Sequence, residues 1–419
     1  MNKTPLIEDI ELFLDDKPSV YAIRESAKQL LSEKKYPTSK NENWKYTNII
    51  PIINSNFSPK AHCNCTNDSC SCNHNQCSCN NEKSAFIDIK FCKGHLHIEE
   101  YNTPKGLIIK SLAEILYEDE YKKYLLKSFD ISKNPFALLN TTYLEQGICI
   151  IVEKNTILTS PINIIYNQTN CDNTQINIHN LIILETNSNL EIIEHFSSNN
   201  SNSYLSNIVN EIYLKENSSL NHYKIQKESS KGFHIAYNST KLYKNSSYKQ
   251  FYYSDGAQIS RNENFINLEE ENANAEIYSA YRAKTNSTTD ITTNINHKSA
   301  YTTSNQTAKA ILETNSTANF VGKIHISPLS IKTSGNQLHK ALYLSDNATL
   351  NCKPELEIYA DDVKCSHGAT CGQIDNDQLF YLTSRGISKE DAISILTSAH
   401  LDEIFALIPN QQIKELYFI

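Results

Sequence analysis

Glycine is scarce in this chain, with only 10 in 419 residues. Neither the G-x-x-x-x-G-K-[S/T] loop that cradles phosphates nor the G-x-G-x-x-G loop of dinucleotide-binding folds occurs in it. A nucleophile elbow is missing as well. The sequence therefore supports no enzyme class, and it excludes ATP hydrolysis through a phosphate-binding loop of this kind.

Long apolar runs and an excess of positive charge are also missing. No run of about 20 apolar residues is present, so we expect no membrane-spanning helix. The net charge of −8 argues against nucleic acid or an anionic membrane as the main partner. Residues 1–16 lack the basic start and apolar centre of a signal peptide. We therefore expect a cytoplasmic protein whose 12 cysteines are thiols rather than a disulfide framework.

Asparagine is abundant and recurs in a turn motif, Asn-(Ser/Ala)-x-(Leu/Tyr/Ala). The motif begins at Asn187, Asn217, Asn245, Asn272, Asn315 and Asn347. Four of the five steps between these positions span 27–32 residues, and an alternating strand pattern follows the turns. Asn tolerates the left-handed backbone of tight turns, and a turn-plus-strand unit of this period is typical of stacked β rungs. The alternative is a β-sandwich.

Helical patterns flank the repeats. Near the N-terminus Ser19 is the expected cap of a helix, and a second helical pattern covers 111–129. The apolar stripe of the first helix comprises Val20, Ile23, Ala27, Leu30 and Leu31. After about residue 363 the chain is expected to be helical, with Asp375 and Ser388 as N-caps and Gly386 as a C-cap.

These patterns divide the chain into three regions. We predict a mainly helical N-terminal region at 1–140, a β-helix core at 141–362 and a C-terminal helical region at 363–419. The lone tryptophan, Trp44, is expected to anchor the first region on the rest by packing. His297 follows Asp290 by seven residues, and we interpret it as a packed or hydrogen-bonded histidine rather than half of an acid–base pair.

Cys365 and His367 stand two residues apart in the run from Asp362 to Ile387. Thiolate and imidazole bind iron, zinc and copper well, and on an extended strand residues i and i+2 point to the same face. On spacing alone, a buried Cys and a hydrogen-bonded His at a strand end are the commoner explanation. The whole 26-residue run is more informative than the pair.

That run resembles the C-terminal signature of the SufB/SufD family, scaffold-type proteins of the Suf iron–sulfur cluster assembly machinery. Further stretches match the same family in the expected order: Trp44-Lys-Tyr-Thr47, Pro135-Phe-Ala-Leu-Leu-Asn140, Ser160-Pro-Ile162, Phe320-Val-Gly-Lys323 and Pro354-Glu-Leu-Glu-Ile-Tyr-Ala360. Two features depart from the pattern. One is the segment 61–81, and the other is Cys371, where Val or a similar residue is more usual.

The resemblance implies a right-handed β-helix-like core and a SufD-type subunit without catalytic residues. It implies a heterodimer with SufB through the solenoid edges and a transient iron–sulfur cluster at that interface, with Cys365 and His367 from this chain and a cysteine from SufB. It also implies that the ATPase SufC binds the C-terminal helices, where the apolar stripe comprises Ala392, Ile395, Leu396, Ala399 and Leu407. Whether a reduced flavin associates with the complex stays open.

Three other functions compete with this one. A SufB-type scaffold would normally carry Glu at the positions of Ser366 and Gly368 and would be longer. A carbohydrate-active β-helix protein would need paired acidic residues on one solenoid face and usually a signal peptide. A metal-storage protein would act through the segment 61–81.

The segment 61–81 is rich in potential metal ligands, with three C-x-C pairs and two histidines. They are Cys63, Cys65, Cys70, Cys72, Cys77, Cys79, His62 and His74. Too few apolar residues separate them to build a core, but metal–thiolate bonds can order such a segment. Zinc or Cu(I) is favoured over iron, and the spacing is not that of a zinc ribbon. The alternative is a disordered loop with adventitious thiols.

Overall fold

Two sheets joined by short turns form most of the structure. The computed structural model describes residues 6–7, 18–55, 57–59, 86–92, 94–97, 103–168, 173–199 and 202–418. The strands are β1 (Ile87–Cys92), β2 (His95–His97), β3 (Leu107–Ser111), β4 (Ile148–Val152), β5 (Ile162–Asn167), β6 (Gln175–Leu184), β7 (Asn189–Ser197), β8 (Tyr204–Leu214), β9 (Ser219–Lys227), β10 (Gly232–Leu242), β11 (Ser247–Asp255), β12 (Ile259–Leu268), β13 (Asn274–Ala283), β14 (Thr288–His297), β15 (Thr303–Leu312), β16 (Thr317–Ile326), β17 (Thr333–Tyr343), β18 (Thr349–Ile358) and β19 (Val363–Gln373).

Helices lie before and after the strands of the solenoid. They are α1 (Pro18–Lys34), α2 (Ile50–Ile53), α3 (Leu112–Ile115), α4 (Asp119–Lys122), α5 (Pro135–Thr142), α6 (Asn376–Ser384), α7 (Lys389–Phe405) and α8 (Gln411–Tyr417), with 3-10 helices at Glu42–Trp44 and Ile131–Lys133. None of the helices in the described part of the chain is long and apolar enough to cross a membrane.

Consecutive strands alternate between the two sheets. From β4 onward the even strands stack in one sheet and the odd strands in the other, each paired in parallel with the strand two positions away. One turn of the chain therefore uses two strands, and about eight such turns form a β-solenoid. β1 continues the odd sheet in parallel with β5, whereas β3 adds to β4 antiparallel. The predicted solenoid is confirmed, and the β-sandwich alternative is wrong.

Asparagines in successive turns form a hydrogen-bonded ladder. Asn187, Asn217 and Asn245 have φ of 59°, 57° and 54°, the left-handed backbone that the motif predicted. The Asn217 amide donates to Asn187 Oδ1 at 2.9 Å, and the Asn245 amide donates to Asn217 Oδ1 at 2.9 Å. Asn155 and Asn272 extend the ladder at its two ends.

The repeat is not one ladder but two, on opposite edges of the solenoid. Asn272 lies between β12 and β13, at the edge where the chain passes from the even sheet to the odd sheet. Asn286 and Asn315 lie at the other edge, where Asn315 donates to Asn286 at 3.3 Å. The step from Asn272 to Asn315 is longer than the other steps because the motif passes from one edge of the solenoid to the other between these two residues.

The N-terminal region is anchored on the even sheet around Trp44. Its ring centroid lies 4.0 Å from the guanidinium carbon of Arg261 and 5.4 Å from the ring of Phe136. The predicted anchoring role of Trp44 is confirmed. The prediction that Ser19 caps α1 is wrong, because the helix begins at Pro18 and Ser19 lies in its first turn. The buried face of α1 also includes Arg24, whose guanidinium donates to the Leu144 carbonyl.

The predicted helix at 111–129 forms as two short helices, α3 and α4. The prediction that the chain is helical from residue 363 is wrong at its start. β19 continues the solenoid to Gln373, because its backbone pairs with β17 along its length. α6 follows with Asp375 as its N-cap, accepting from the backbone of the first turn. Ser388 caps α7, and Gly386 after α6 has φ of 88°, both as the sequence predicted.

Candidate functional site

The last two strands leave the solenoid open at one end. β18 pairs only with β16 and β19 only with β17, so within the described chain each has an edge without a strand partner. β19 is largely exposed, whereas β6 in the middle of the stack is buried throughout. A free edge of ten or more residues presents unpaired N–H and C=O groups, which favour pairing with another chain.

Cys365 and His367 lie on this open end, in the first half of β19. Their partners in β17 are Gly335 and Gln337, both of them buried, so the two side chains share the inward face. Cys365 packs against the small cluster of Ile324, Ile326 and Ala360 and is half-buried, whereas His367 is exposed. Burial raises the pKa of the Cys365 thiol, against the opposing effect of a backbone hydrogen bond with Gly335. The predicted same-face arrangement of the pair is confirmed.

The pair on its own supplies too few ligands for a metal site. Among the residues that the structure describes, no group of three or more His, Cys, Asp or Glu side chains is placed to hold a metal ion. A thiol and an imidazole supply two ligands, and a tetrahedral site needs four. Ligands from another chain at the free edge would complete it.

The helices after β19 expose a second apolar surface. α6 has no buried residue, and its Phe380 and Tyr381 are 72% and 56% exposed. A groove of about 430 Å³ runs between α6 and α7. Asp377, Gln378, Tyr381, Leu382, Ile395 and Leu396 line it.

α7 packs on the solenoid with a face other than its predicted apolar stripe. Leu401, Ile404 and Phe405 join the cluster around Tyr223 and Phe251 on the odd sheet. The residues of the predicted stripe divide by exposure: Ile395, Ala399 and Leu407 are exposed, Leu396 is half-buried and Ala392 is buried. Ala392 therefore belongs to the packing of the helix and does not reach the surface.

Two family models cover nearly the whole chain. The model described as "SUF system FeS cluster assembly, SufBD core domain" matches residues 165–400, and "SufBD protein N-terminal region" matches residues 9–164. The chain belongs to the SufBD family. The first match covers the solenoid from β6 to β19 together with most of α7, so the open end lies inside the family core.

Relatives in the SufBD family align over most of their length. An iron–sulfur cluster assembly SufBD family protein of Synechocystis sp. is 30% identical over 403 residues, which cover 92% of this chain and 87% of the relative. The iron–sulfur cluster assembly protein SufD of Escherichia coli is 27% identical, covering 90% of this chain and 87% of the relative. SufD of Bacillus subtilis is 25% identical, and the alignment covers 80% of this chain and 77% of the relative.

The interior of this SufBD solenoid carries buried charges that the sequence did not predict. Glu194 and His222 lie on neighbouring strands, and Glu194 Oε2 is 2.8 Å from His222 Nε2. Burial alone would raise the pKa of Glu194, but the hydrogen bond and charge of His222 outweigh it and lower the pKa to about 2. Lys224 is fully buried above them, donates to Asn262 at 3.0 Å and has a pKa lowered by burial to about 8. Alternating polar residues on β9 were the only sequence signal for this network.

Asp290 and His297 do not form a pair. The two ring nitrogens of His297 contact the hydroxyls of Thr302 and Ser304, at 2.8 and 2.9 Å. Asp290 instead binds Arg261 at 2.5 Å. Burial lowers the pKa of His297 to about 3, so the ring is neutral at pH 7. The prediction of a hydrogen-bonded histidine is confirmed.

The eight potential ligands at 61–81, from His62 to Cys79, lie outside the described residues. Metal binding by this segment stays a prediction.

Proposed function

We propose that this SufBD family protein is the SufD-type scaffold subunit of a SufB–SufC–SufD complex and that it has no catalytic residues of its own. The observation that carries the proposal is the open end of the solenoid, where two long free edges coincide with the half-built Cys365–His367 pair. Two of the named relatives are SufD proteins, which favours this subunit type over the SufB type.

The free edges of β18 and β19 are the proposed surface for SufB. Apolar area is added by Ile358 at the end of β18, which is 40% exposed, and by Tyr359 in the loop after it, which is 61% exposed. The neighbouring turns contribute Leu329 and Ile331, which are 85% and 44% exposed. An exposed apolar patch next to unpaired strand edges is typical of a protein–protein interface.

The nascent cluster is the cargo of this interface, bound by Cys365 and His367 together with ligands from SufB. Cys365 is a protonated thiol in the free chain, and metal binding requires its thiolate, so binding releases a proton. His367 is exposed on the same face and can turn either ring nitrogen toward iron without disturbing the core. The pair therefore suits a site that forms only when the partner is present.

Replacing His367 by Ala tests the cluster role. His367→Ala should leave SufB binding unchanged and lower the iron and sulfide content of the anaerobically reconstituted complex, because Ala offers no ligand. Ser366→Ala is the matched control, since Ser366 is the exposed neighbour on the outward face. Equal cluster content in the His367→Ala complex and the wild-type complex would refute the assignment.

The groove between α6 and α7 is the proposed docking site for SufC. The aromatic side chains of α6 are exposed in the free chain, and an apolar groove between two helices suits a helix of a partner. Ile395→Glu should release SufC in a pull-down while SufB stays bound, because a carboxylate would be buried in an apolar contact. Ser394→Glu adds the same charge at an exposed position away from Leu396 and should retain SufC. Recovery of SufC with Ile395→Glu at the wild-type level would contradict the proposal.

A further inference from the structure

Two more thiols face the interior at the open end, away from the Cys365–His367 pair. Cys352 of β18 pairs in register with Phe320, and Cys371 of β19 pairs with Ala341. Both register partners are buried, Phe320 at 0% exposure and Ala341 at 5%, so the two thiols point inward from opposite sheets. Cys352 is half-buried, and Cys371 is exposed at the open end of the solenoid.

Cys352 packs against the core cluster that contains Ala341, the register partner of Cys371. Burial raises the pKa of Cys352 to about 11, and Cys371 contributes a further increase. Burial raises the pKa of the Tyr343 hydroxyl, and Cys371 and Cys352 raise it further. Tyr343 also packs with Leu350 and Cys352 at the edge of one core cluster.

The distance between the two sheets is better suited to a metal ion bound between the two thiols than to a disulfide bond that joins them. Facing sheets pack about 10 Å apart, whereas a disulfide needs Cα atoms about 4.4–6.8 Å apart. Two Cys side chains reaching inward leave a gap that a metal ion with Zn–S bonds of about 2.3 Å can fill.

A buried histidine behind the thiols has a ring nitrogen without a partner. His339 of β17 is fully buried, and its Nε2 lies 2.7 Å from the hydroxyl of Tyr281, deeper in the solenoid on β13. Nδ1 lies on the other side of the ring from that bond and has no hydrogen-bond partner among the residues that the structure describes. The ring contacts Phe320, the register partner of Cys352, at 4.7 Å between centroids. Burial lowers the pKa of His339 to about 4, so the imidazole is neutral, the form that binds metals.

We propose that Cys352 and Cys371 form a second soft-metal site at the open end, which takes a zinc-type divalent ion with His339 Nδ1 as a third ligand. Both thiols lose their protons to solvent when the ion binds. The side chains must rotate to close the site, since no three such groups in the described chain are preset for a metal. Cys371 lies six residues beyond Cys365, about 20 Å along the strand, so this site is separate from the proposed cluster site.

Metal titration of the full chain tests the proposal. In every variant the six cysteines of the segment 61–81 are replaced by Ser, so that their thiols do not contribute. The probe is Co²⁺ under anaerobic, reducing conditions, with Zn²⁺ as competitor. We expect a sulfur-to-cobalt charge-transfer band that saturates at one equivalent and that Zn²⁺ abolishes. Cys371→Val should remove the band, and its exposed position at the edge makes a folding defect unexpected.

Two further variants locate the ion. Cys365→Ser should retain the band, whereas Cys352→Ala should remove it. A band that survives in Cys371→Val, or that disappears in Cys365→Ser instead, would overturn the proposal, because the ion would then be bound elsewhere. The outcome does not depend on the scaffold role, since no partner protein takes part.

Discussion

The ion cluster around Arg261 is expected to hold the N-terminal region on the solenoid. Arg261 is 1% exposed, and its Nη1 lies 2.5 Å from Asp290 Oδ2 while its Nε lies 2.6 Å from Glu263 Oε1. Its Nη2 donates to the Asn43 carbonyl at 2.8 Å, next to the Trp44 ring. One side chain thus joins two strands of the even sheet to the 3-10 helix that carries the only tryptophan.

Arg261→Met removes all four hydrogen bonds that the guanidinium donates, while keeping most of the side-chain volume. Within the described part of the chain, Asp290 would then stay buried with the hydroxyls of Thr47 and Thr292 as its remaining side-chain partners. Removing one member of a buried ion pair costs about 3–5 kcal/mol. We expect a loss of that size in the free energy that holds the N-terminal region in place.

Urea denaturation followed by two probes measures this effect. Fluorescence of Trp44 reports on the cluster itself, and far-UV circular dichroism reports on the strands of the solenoid. In Arg261→Met the fluorescence transition should move to lower urea than the circular dichroism transition, because the N-terminal region separates before the solenoid unfolds.

Arg282→Met is the matched control. Arg282 is 25% exposed, and its Nη1 lies 3.5 Å from Glu313 Oε1, so its loss should cost less than about 1 kcal/mol. If Arg261→Met and Arg282→Met shift the fluorescence transition equally, the cluster around Arg261 does not hold the N-terminal region and the reasoning is refuted.

Three further predictions follow from the structure. The pKa of Glu194 is lowered from its ordinary 4.5 to about 2, so its stabilising effect is complete above pH 4.5 and lost as the pH falls toward 2; Glu194→Gln should flatten the decline in unfolding free energy between pH 4.5 and pH 2. Asn217→Ala should destabilise the chain by about 1–3 kcal/mol in thermal unfolding because it puts Ala at φ of 57° and breaks the ladder, and Asn217→Gly should cost less. A peptide of residues 61–81 should bind about two zinc ions or more Cu(I) under reducing conditions, since eight ligands fill two tetrahedral sites; no uptake at micromolar metal would favour the disordered loop.

Local signals in the sequence were sufficient for the repeat and for the starts of α6 and α7. The Asn turns predicted rungs of about 30 residues because Asn tolerates the left-handed backbone of a tight turn. Asp375 and Ser388 predicted helix starts because their side chains bond the backbone of the next few residues. Such features depend on neighbours in the chain, so the sequence displays them directly.

The candidate site was predictable only in part. Cys365 and His367 could be placed on one strand face from their spacing, and the family resemblance pointed to their role. The structure added that this strand is the last of its sheet and has a free edge, which depends on how many rungs the chain forms. The apolar stripe of α7 was misjudged at Ala392, because the packing face of that helix is set by its contact with the odd sheet.

The sequence by itself therefore determined the solenoid class, its period and the N-caps of α6 and α7. Only the tertiary structure decided that the Asn repeat divides between two edges, that Arg261 contacts Trp44, and that Cys352 and Cys371 both point into the gap between the sheets. The physical reason is the same in each case. Stacking of the rungs and packing of the two sheets bring these groups together. No local pattern in the sequence indicates a contact between residues far apart in the chain.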